Sequence, residues 1–333
     1  MRQKIKIVAT IGPVSANPNM LKKMYKAGMS LARLNGSHNT LDWHRKTIKL
    51  IKQIIPDCPI LLDIPGKKIR TIKLISEPEF QKNDTLILTT SPGHYGEKKI
   101  SLTNQRLHIF LNKGDILYAD DGTLKFTVIK VIKKDIYIKA NVSGKLRSSK
   151  GINVPHVNIS GNLITARDKK MIAFAEKNEV DFIGLSFIES GDHLKKIRKL
   201  IKKNIPKLIA KVENQRGLDN LYSIVKNTDC IMIDRGDLST ETSIEMLAIN
   251  QKKIISCAKN NATPVIVATE MLDNMIKNPY PTKAEVLDIY NSVGDGATAT
   301  MLSGETAVGN FPIDAIQVMN NIAHINLKKE KII

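Results

Sequence analysis

Ile209-Ala210-Lys211-Val212-Glu213-Asn214-Gln215-Arg216-Gly217 reads as a strand that runs into a helix, with a charged pair where a buried strand should be apolar. Leu208 to Val212 is apolar apart from Lys211, and Gln215-Arg216-Gly217 turns the chain toward the helix. Successive side chains of a strand alternate faces, so Lys211 and Glu213 point the same way. That pair is a poor core component. It suits a site that holds a divalent cation beside a substrate oxygen and sets positive charge where negative charge develops. A plain buried ion pair is the other reading.

The same alternation recurs on both sides. Residues 4–11 read as a strand closed by Gly12-Pro13, and the spacing of Leu21, Met24 and Tyr25 predicts a helix over 17–27 with Gly28 as its C-cap. A strand over 30–34, a helix over 40–54 and a nearly all-apolar strand over 59–64 follow, the last as a parallel strand covered on both faces should look. Beyond 155 the order is helix 166–177, strand 181–187, helix 193–202, strand 208–212, helix 218–225 and strand 229–233. Helix 243–260, strand 264–268, helix 283–293, strand 297–302 and helix 313–325 complete it. Three strands before the interruption and five after make eight, which predicts a closed α/β (β/α)8 TIM barrel. An open doubly wound sheet is the competing arrangement, but Ile11-Gly12-Pro13-Val14 is not the glycine-rich turn it wants.

The interruption lies between 70 and 155. There the helical period vanishes, and β-rich runs at 85–89, 116–118, 124–131 and 135–142 alternate with turns such as Ser91-Pro92-Gly93 and Asp120-Asp121-Gly122. The expected domains are a barrel from 1–69 and 156–333, and an all-β lid domain, 70–155, inserted after the third strand.

A chain of 333 residues with 42% apolar content can bury a large core. The net charge of +19 could serve nucleic acid. However, the lysines are scattered along helix-like segments (Lys195, Lys196, Lys199, Lys202, Lys203), so a basic site for phosphorylated anions is the preferred reading. Cys58, Cys230 and Cys257 lack metal spacing and form no disulfide framework, which suits a reducing cytoplasm. No signal-peptide core opens the chain and no apolar run approaches the roughly 20 residues needed to span a bilayer. A cytoplasmic enzyme with no membrane partner is expected.

In a barrel of this kind the reactive groups stand at the C-terminal ends of the strands. Those ends hold Arg33-Leu34-Asn35-Gly36-Ser37-His38, Asp63, Ser186, Lys211 with Glu213, Asp234-Arg235-Gly236-Asp237, Thr269-Glu270 and Ser303-Gly304-Glu305-Thr306. Scattered surface polar residues would not gather at one rim in this way.

Taken in order, these strings resemble the pyruvate kinase family. The resemblance also covers Lys6-Ile7-Val8-Ala9-Thr10-Ile11-Gly12-Pro13, Lys150-Gly151-Ile152-Asn153-Val154-Pro155, Met271-Leu272, Pro281-Thr282 and Ala284-Glu285, which is nearly the whole chain. It implies that Glu213 and Asp237 hold Mg2+ or Mn2+, that Lys211 faces the transferring phosphoryl group and the enolate, and that Arg33 contacts the phosphoryl group. The backbone of Arg235, Gly236 and Asp237 would hold the substrate carboxylate, and Thr269, with Ser303 nearby, would belong to the enolate-protonating relay. Arg70, Asn35, His38 and Lys150 match nucleotide-phosphate contacts, although Asn35 and His38 can equally form a turn that caps the second helix. Family members usually carry a further C-terminal effector domain, and this chain stops where that domain would begin.

The departures bear on substrate and ion. Asp63-Ile64-Pro65-Gly66-Lys67-Lys68-Ile69-Arg70 has Lys68 where K+-requiring members have glutamate and Ile64 where they have threonine. An ammonium beside Asn35, Ser37 and Asp63 can replace the charge of a bound K+, so K+ should not be required. Asp234, Glu189, Glu270 and Val308 stand where alanine, arginine, glutamine and lysine are usual. Asp234 would repel the substrate carboxylate unless metal or Arg235 offsets it. Two enzymatic readings follow. One is phosphoryl transfer from phosphoenolpyruvate to ADP. The other is a nucleotide-independent, metal-dependent 2-oxo acid enzyme of aldolase or decarboxylase type on the same enolate centre. A non-catalytic basic binding protein is the third reading, and a homodimer through the barrel is expected of the family.

Overall fold

The structure, a computed structural model, describes residues 5–155, 157, 164–203 and 205–328. The described chain forms two compact units, one from Met1–Gly66, Ile164–Arg235 and Ala248–Ile333, the other from Lys67–Leu163 and Gly236–Leu247.

In the first unit eight parallel strands close into a barrel: Lys6–Thr10, Met29–Asn35, Ile60–Ile64, Phe182–Leu185, Lys207–Val212, Cys230–Asp234, Val265–Ala268 and Ala299–Leu302. Neighbours in sequence are neighbours in the ring, and the first strand closes on the eighth with Lys6 opposite Ala299 and Ala9 opposite Leu302. The α/β barrel expected from the sequence is therefore the fold of this unit.

The period of two along each strand explains where the chemistry falls. Leu31, Leu61, Ile209, Met232, Ile266 and Met301 pack into one buried cluster. Each such side chain contributes about 1.5–3 kcal/mol by leaving water. Two residues further along the same strand faces come Arg33, Asp63, Lys211 and Asp234. The register staggers them from strand to strand, with Arg33 opposite Leu61, Asn35 opposite Asp63 and Lys211 opposite Met232. The inward faces thus pass from an apolar floor to a charged layer at the C-terminal ends.

Most helix starts are set by capping side chains. Asn17 accepts from Met20 N, Thr40 from Trp43 N, and Thr165 and Thr282 form reciprocal capping boxes with Asp168 and Glu285. Gly28 closes the first helix, Pro18–Ala27, in the positive-φ conformation that favours glycine. Gly36 is needed for another reason, since a Cβ there would lie 2.4 Å from Asp63 O and 2.3 Å from Met171 Cε.

Three helices depart from the expectation. The helix expected over 218–225 is two, Gln215–Asp219 and Leu221–Val225, because Asn214 caps the start early and Asn220 Nδ2 donates to Arg216 O, ending the first turn. The one expected over 193–202 is Gly191–Arg198, capped by Ser190. That expected over 243–260 begins at Leu247, behind a 3-10 turn at Ile244–Met246, and a separate helix, Arg235–Glu241, precedes it.

The second unit contains a seven-stranded sheet in the order Ile69–Arg70, Gly151–Asn153, Ile116–Ala119, Leu124–Ile132, Asp135–Ala140, Thr85–Thr89 and Ile100–Ser101. A two-stranded sheet pairs Gly144–Lys145 with Glu79–Phe80. Phe126, Leu88, Leu117, Ile136 and Ile138 are central in its apolar core. Its strands fall in sequence between the third and fourth barrel strands.

Candidate active site

Lys211 is 4% exposed, and its ammonium is surrounded by acceptors from three other strands or their ends. Nζ lies 2.9 Å from Glu213 Oε1, 3.0 Å from Asp234 Oδ2, 3.4 Å from Asp63 Oδ2, and donates to Ser186 Oγ at 3.0 Å. Burial opposes its charge, but Asp63, Glu213 and Asp234 outweigh that and hold its pKa well above the usual lysine value. Asp63 shows the converse balance. Burial would raise its carboxyl pKa, yet Lys211 and Arg33 hold it below the ordinary value.

Arg33, also buried, donates to Asp63 Oδ2 from Nε at 3.1 Å and Nη2 at 2.6 Å, and to Thr10 Oγ1 from Nη1 at 3.0 Å. Removing one partner of such a buried pair costs about 3–5 kcal/mol, because the other charge is stranded. Asp234 has Lys211 as its cation, so the offset sought from Arg235 comes from a different residue. Glu189 is likewise matched, by Arg216 Nη1 at 3.3 Å.

Carboxylate oxygens of Glu213 and Asp234 come within 4.8 Å of each other. Glu213 is fully buried, with Oε2 accepting from Phe187 N at 2.6 Å. A close set of oxygen-only donors is the set that hard cations such as Mg2+ and Mn2+ take, so the residues present fit the ion the family implies.

Thr269 and Glu270 follow the seventh strand in the left-handed region, φ 69° and 52°. For a β-branched residue that is strained backbone. Arg235 holds the turn. Its Nε and Nη2 donate to Thr269 O, Nη2 donates to Glu270 O at 2.9 Å, and Nη1 pairs with Asp288. The side chain of Arg235 is thus a clamp on the turn, and only its backbone is left for the substrate role expected of it. Thr269 Oγ1 donates to Ala268 O at 2.6 Å. Ser303 N donates to Glu305 Oε2, while Glu305 Oε1 accepts from Leu272 N. The ends of the seventh and eighth strands are tied together through that buried carboxyl, whose pKa burial raises.

Asn35 Oδ1 accepts from Ser37 N at 3.0 Å, and His38 O lies 3.0 Å from His44 Nε2. Here Asn35 builds a local turn, and the cap of the second helix is Thr40. Val308 is exposed.

The other expected residues belong to the second unit. Lys68, expected beside Asn35, Ser37 and Asp63, forms ion pairs with Asp237 at 2.7 Å and Asp121 at 3.8 Å. Arg70 Nη1 donates to Ser149 O, and Lys150 Nζ pairs with Asp120 at 2.7 Å. Gly236 O accepts from Ser239 and Thr240 hydroxyls. Ser186 stands at the strand end where it was expected, whereas Asp288, Asn153 and Glu241 were not expected to take part. The partners of these last three lie 53 to 88 positions away in the chain, and periodicity carries no signal over such separations.

Comparison with known proteins places the chain. The family described as "Pyruvate kinase, barrel domain" matches residues 2–316. Pyruvate kinase of Clostridium perfringens is 39% identical over 331 residues, covering 96% of this chain and 70% of that protein. That of Thermococcus litoralis is 40% identical over 327 residues, covering 96% and 69%. That of Thermotoga maritima is 38% identical over 336 residues, covering 97% and 71%. No helix among the described residues is long and apolar enough to cross a membrane. With the closed barrel, the buried Lys211 centre and these matches together, the chain belongs to the pyruvate kinase family of phosphotransferases.

Proposed function

We propose that the chain transfers the phosphoryl group of phosphoenolpyruvate to ADP and that the resulting enolate is protonated to pyruvate. The bond from phosphorus to the enol oxygen breaks, a bond to a terminal ADP oxygen forms, and carbon 3 of the enolate takes up a proton. The observation that carries this reading is the buried Lys211 ammonium, held charged at the strand ends with Asp63, Glu213 and Asp234 around it.

Glu213 and Asp237 would hold the Mg2+ or Mn2+ ion, which when bound supplies Lewis-acid stabilisation of negative substrate oxygens. Lys211 sets a fixed positive charge beside the phosphoryl group in flight and then beside the enolate oxygen. Arg33 uses Nε, Nη1 and Nη2 to hold its place, and its remaining N–H groups are available to phosphoryl oxygens. The backbone of Arg235, Gly236 and Asp237 receives the substrate carboxylate. Thr269, kept in position by Arg235, and Ser303 lie on the proton's route to carbon 3. Arg70, Lys150, Asn35 and His38 contact the nucleotide phosphates, and Lys68 makes K+ unnecessary.

The nucleotide-independent reading was prompted by added acid, and two of those acids now have cations of the fold: Asp234 has Lys211 and Glu189 has Arg216. Pyruvate release coupled to lactate dehydrogenase tests the proposal. Turnover is expected with phosphoenolpyruvate, ADP and Mg2+, at the same rate in KCl and in a tetramethylammonium salt. No turnover overturns the reaction, and strong activation by KCl overturns the role of Lys68.

A further inference from the structure

We propose that Asn153, backed by Glu241, is a positioning residue for the Asp237 carboxylate; the inference rests on the reading of Asp237 as a metal ligand. Asn153 is 1% exposed and lies in the strand Gly151–Asn153, which pairs with Ile69–Arg70 on one side and with Ile116–Ala119 on the other, so its backbone is fixed. Its Nδ2 donates to Asp237 Oδ1 at 3.0 Å and to Glu241 Oε1 at 2.9 Å. The two carboxyl oxygens it reaches act as acceptors, so the orientation of the amide is dictated by the network.

Asp237 and Glu241 are four residues apart on the helix Arg235–Glu241 and present their side chains on one face. Among neutral side chains, an amide is the one whose two divergent N–H bonds can bridge two neighbouring carboxyl groups from a single nitrogen without adding charge. Lysine would compete for the anionic oxygens as a cation, and a hydroxyl has one proton to give. Lys68 also reaches Asp237, at 2.7 Å, but through a long side chain with many rotamers, whereas Asn153 is short and strand-borne. Asn153 therefore fixes which way the Asp237 carboxylate faces, and Glu241 takes up the second N–H that would otherwise swing the amide away. Groups that orient a metal ligand in this way are worth about 10- to 100-fold in metal affinity.

Mn2+ binding followed by electron paramagnetic resonance on the whole chain provides the test, alongside thermal midpoints and the Mg2+ dependence of kcat and KM. Asn153→Ala should weaken Mn2+ at least about tenfold. Glu241→Ala should weaken it by a smaller factor, and Glu241→Gln, which keeps an acceptor for Asn153, should restore the wild-type value. Asp237→Asn serves as reference. If Asp237→Asn leaves Mn2+ binding intact, the reading of Asp237 fails and this inference with it. If Asp237→Asn abolishes binding while both alanine variants bind Mn2+ as wild type does, the inference alone is overturned. Should Asn153→Ala not fold, the contrast between Glu241→Ala and Glu241→Gln decides: a difference in Mn2+ affinity supports the proposal, and equal affinities overturn it.

Discussion

Lys211, buried, and Glu241, half-buried, are ionisable groups with opposite charge balances. Around Lys211, cations and anions nearly match: Lys211 and Arg33 face Asp63, Glu213 and Asp234, which leaves a formal charge of 2 − 3 = −1. Each carboxylate has a cation beside it, so the layer persists despite the cost of burying it. Glu241 has less help. Burial pushes its carboxyl up to about 7 from 4.5, with Asn153 and Lys68 only partly opposing. Its folded pKa lies above the unfolded one, so its contribution to stability is full below about 4.5 and is lost as pH rises through about 7. We expect unfolding free energy in EDTA to fall by about 3 kcal/mol more across that window in the wild type than in Glu241→Gln. Denaturant titrations at pH 4.5 and pH 8 measure the difference, and parallel curves for the two proteins would count against a raised carboxyl.

Among the elements, the turn after the seventh strand is the one that could not stand alone. Thr269 and Glu270 both have positive φ, at a cost of about 1–3 kcal/mol each, and Arg235 offsets it by donating to their carbonyls. Arg235→Lys keeps the charge but cannot reach both carbonyls and Asp288 at once. We expect its kcat to fall tenfold or more, with a smaller change in KM for phosphoenolpyruvate, since misplacing Thr269 affects the reacting geometry more than binding. Steady-state kinetics read this directly, and an unchanged kcat would show that the turn holds without its clamp. The elements were legible because alternation and caps are local: the helix 166–177 of the barrel unit and the strand 85–89 of the second unit are where the pattern put them. The break at Asn220 was missed because one side-chain bond to Arg216 O decided it. At the site, Lys211, Glu213 and Arg33 could be picked out as charges in apolar strands. What they bind could not. The pairing of Asp234 with Lys211, the clamp by Arg235 and the bridge by Asn153 arise only when distant strands meet.

For the molecule as a whole, two scales of charge work in opposite directions. The chain carries +19, which draws anions from a distance over roughly a Debye length of 10 Å or less in physiological salt. The buried layer of the barrel that the proposed anionic substrate meets is itself −1 by the count above. Long-range attraction can therefore raise the encounter rate without supplying affinity, and a divalent cation is what reverses the local sign. Binding of phosphoenolpyruvate and of the cation should then be strongly coupled, each raising affinity for the other by the same factor. Thermal denaturation makes this visible, because a ligand that binds only the native state stabilises it by about 2.7 kcal/mol at a hundredfold its Kd. We expect phosphoenolpyruvate in EDTA to leave the midpoint unmoved. The same concentration with Mn2+ should raise it by several degrees, beyond the shift from Mn2+ alone. An equal shift in EDTA would mean that the substrate finds its positive charge in the protein itself, and that the carboxylates around Lys211 do not govern entry.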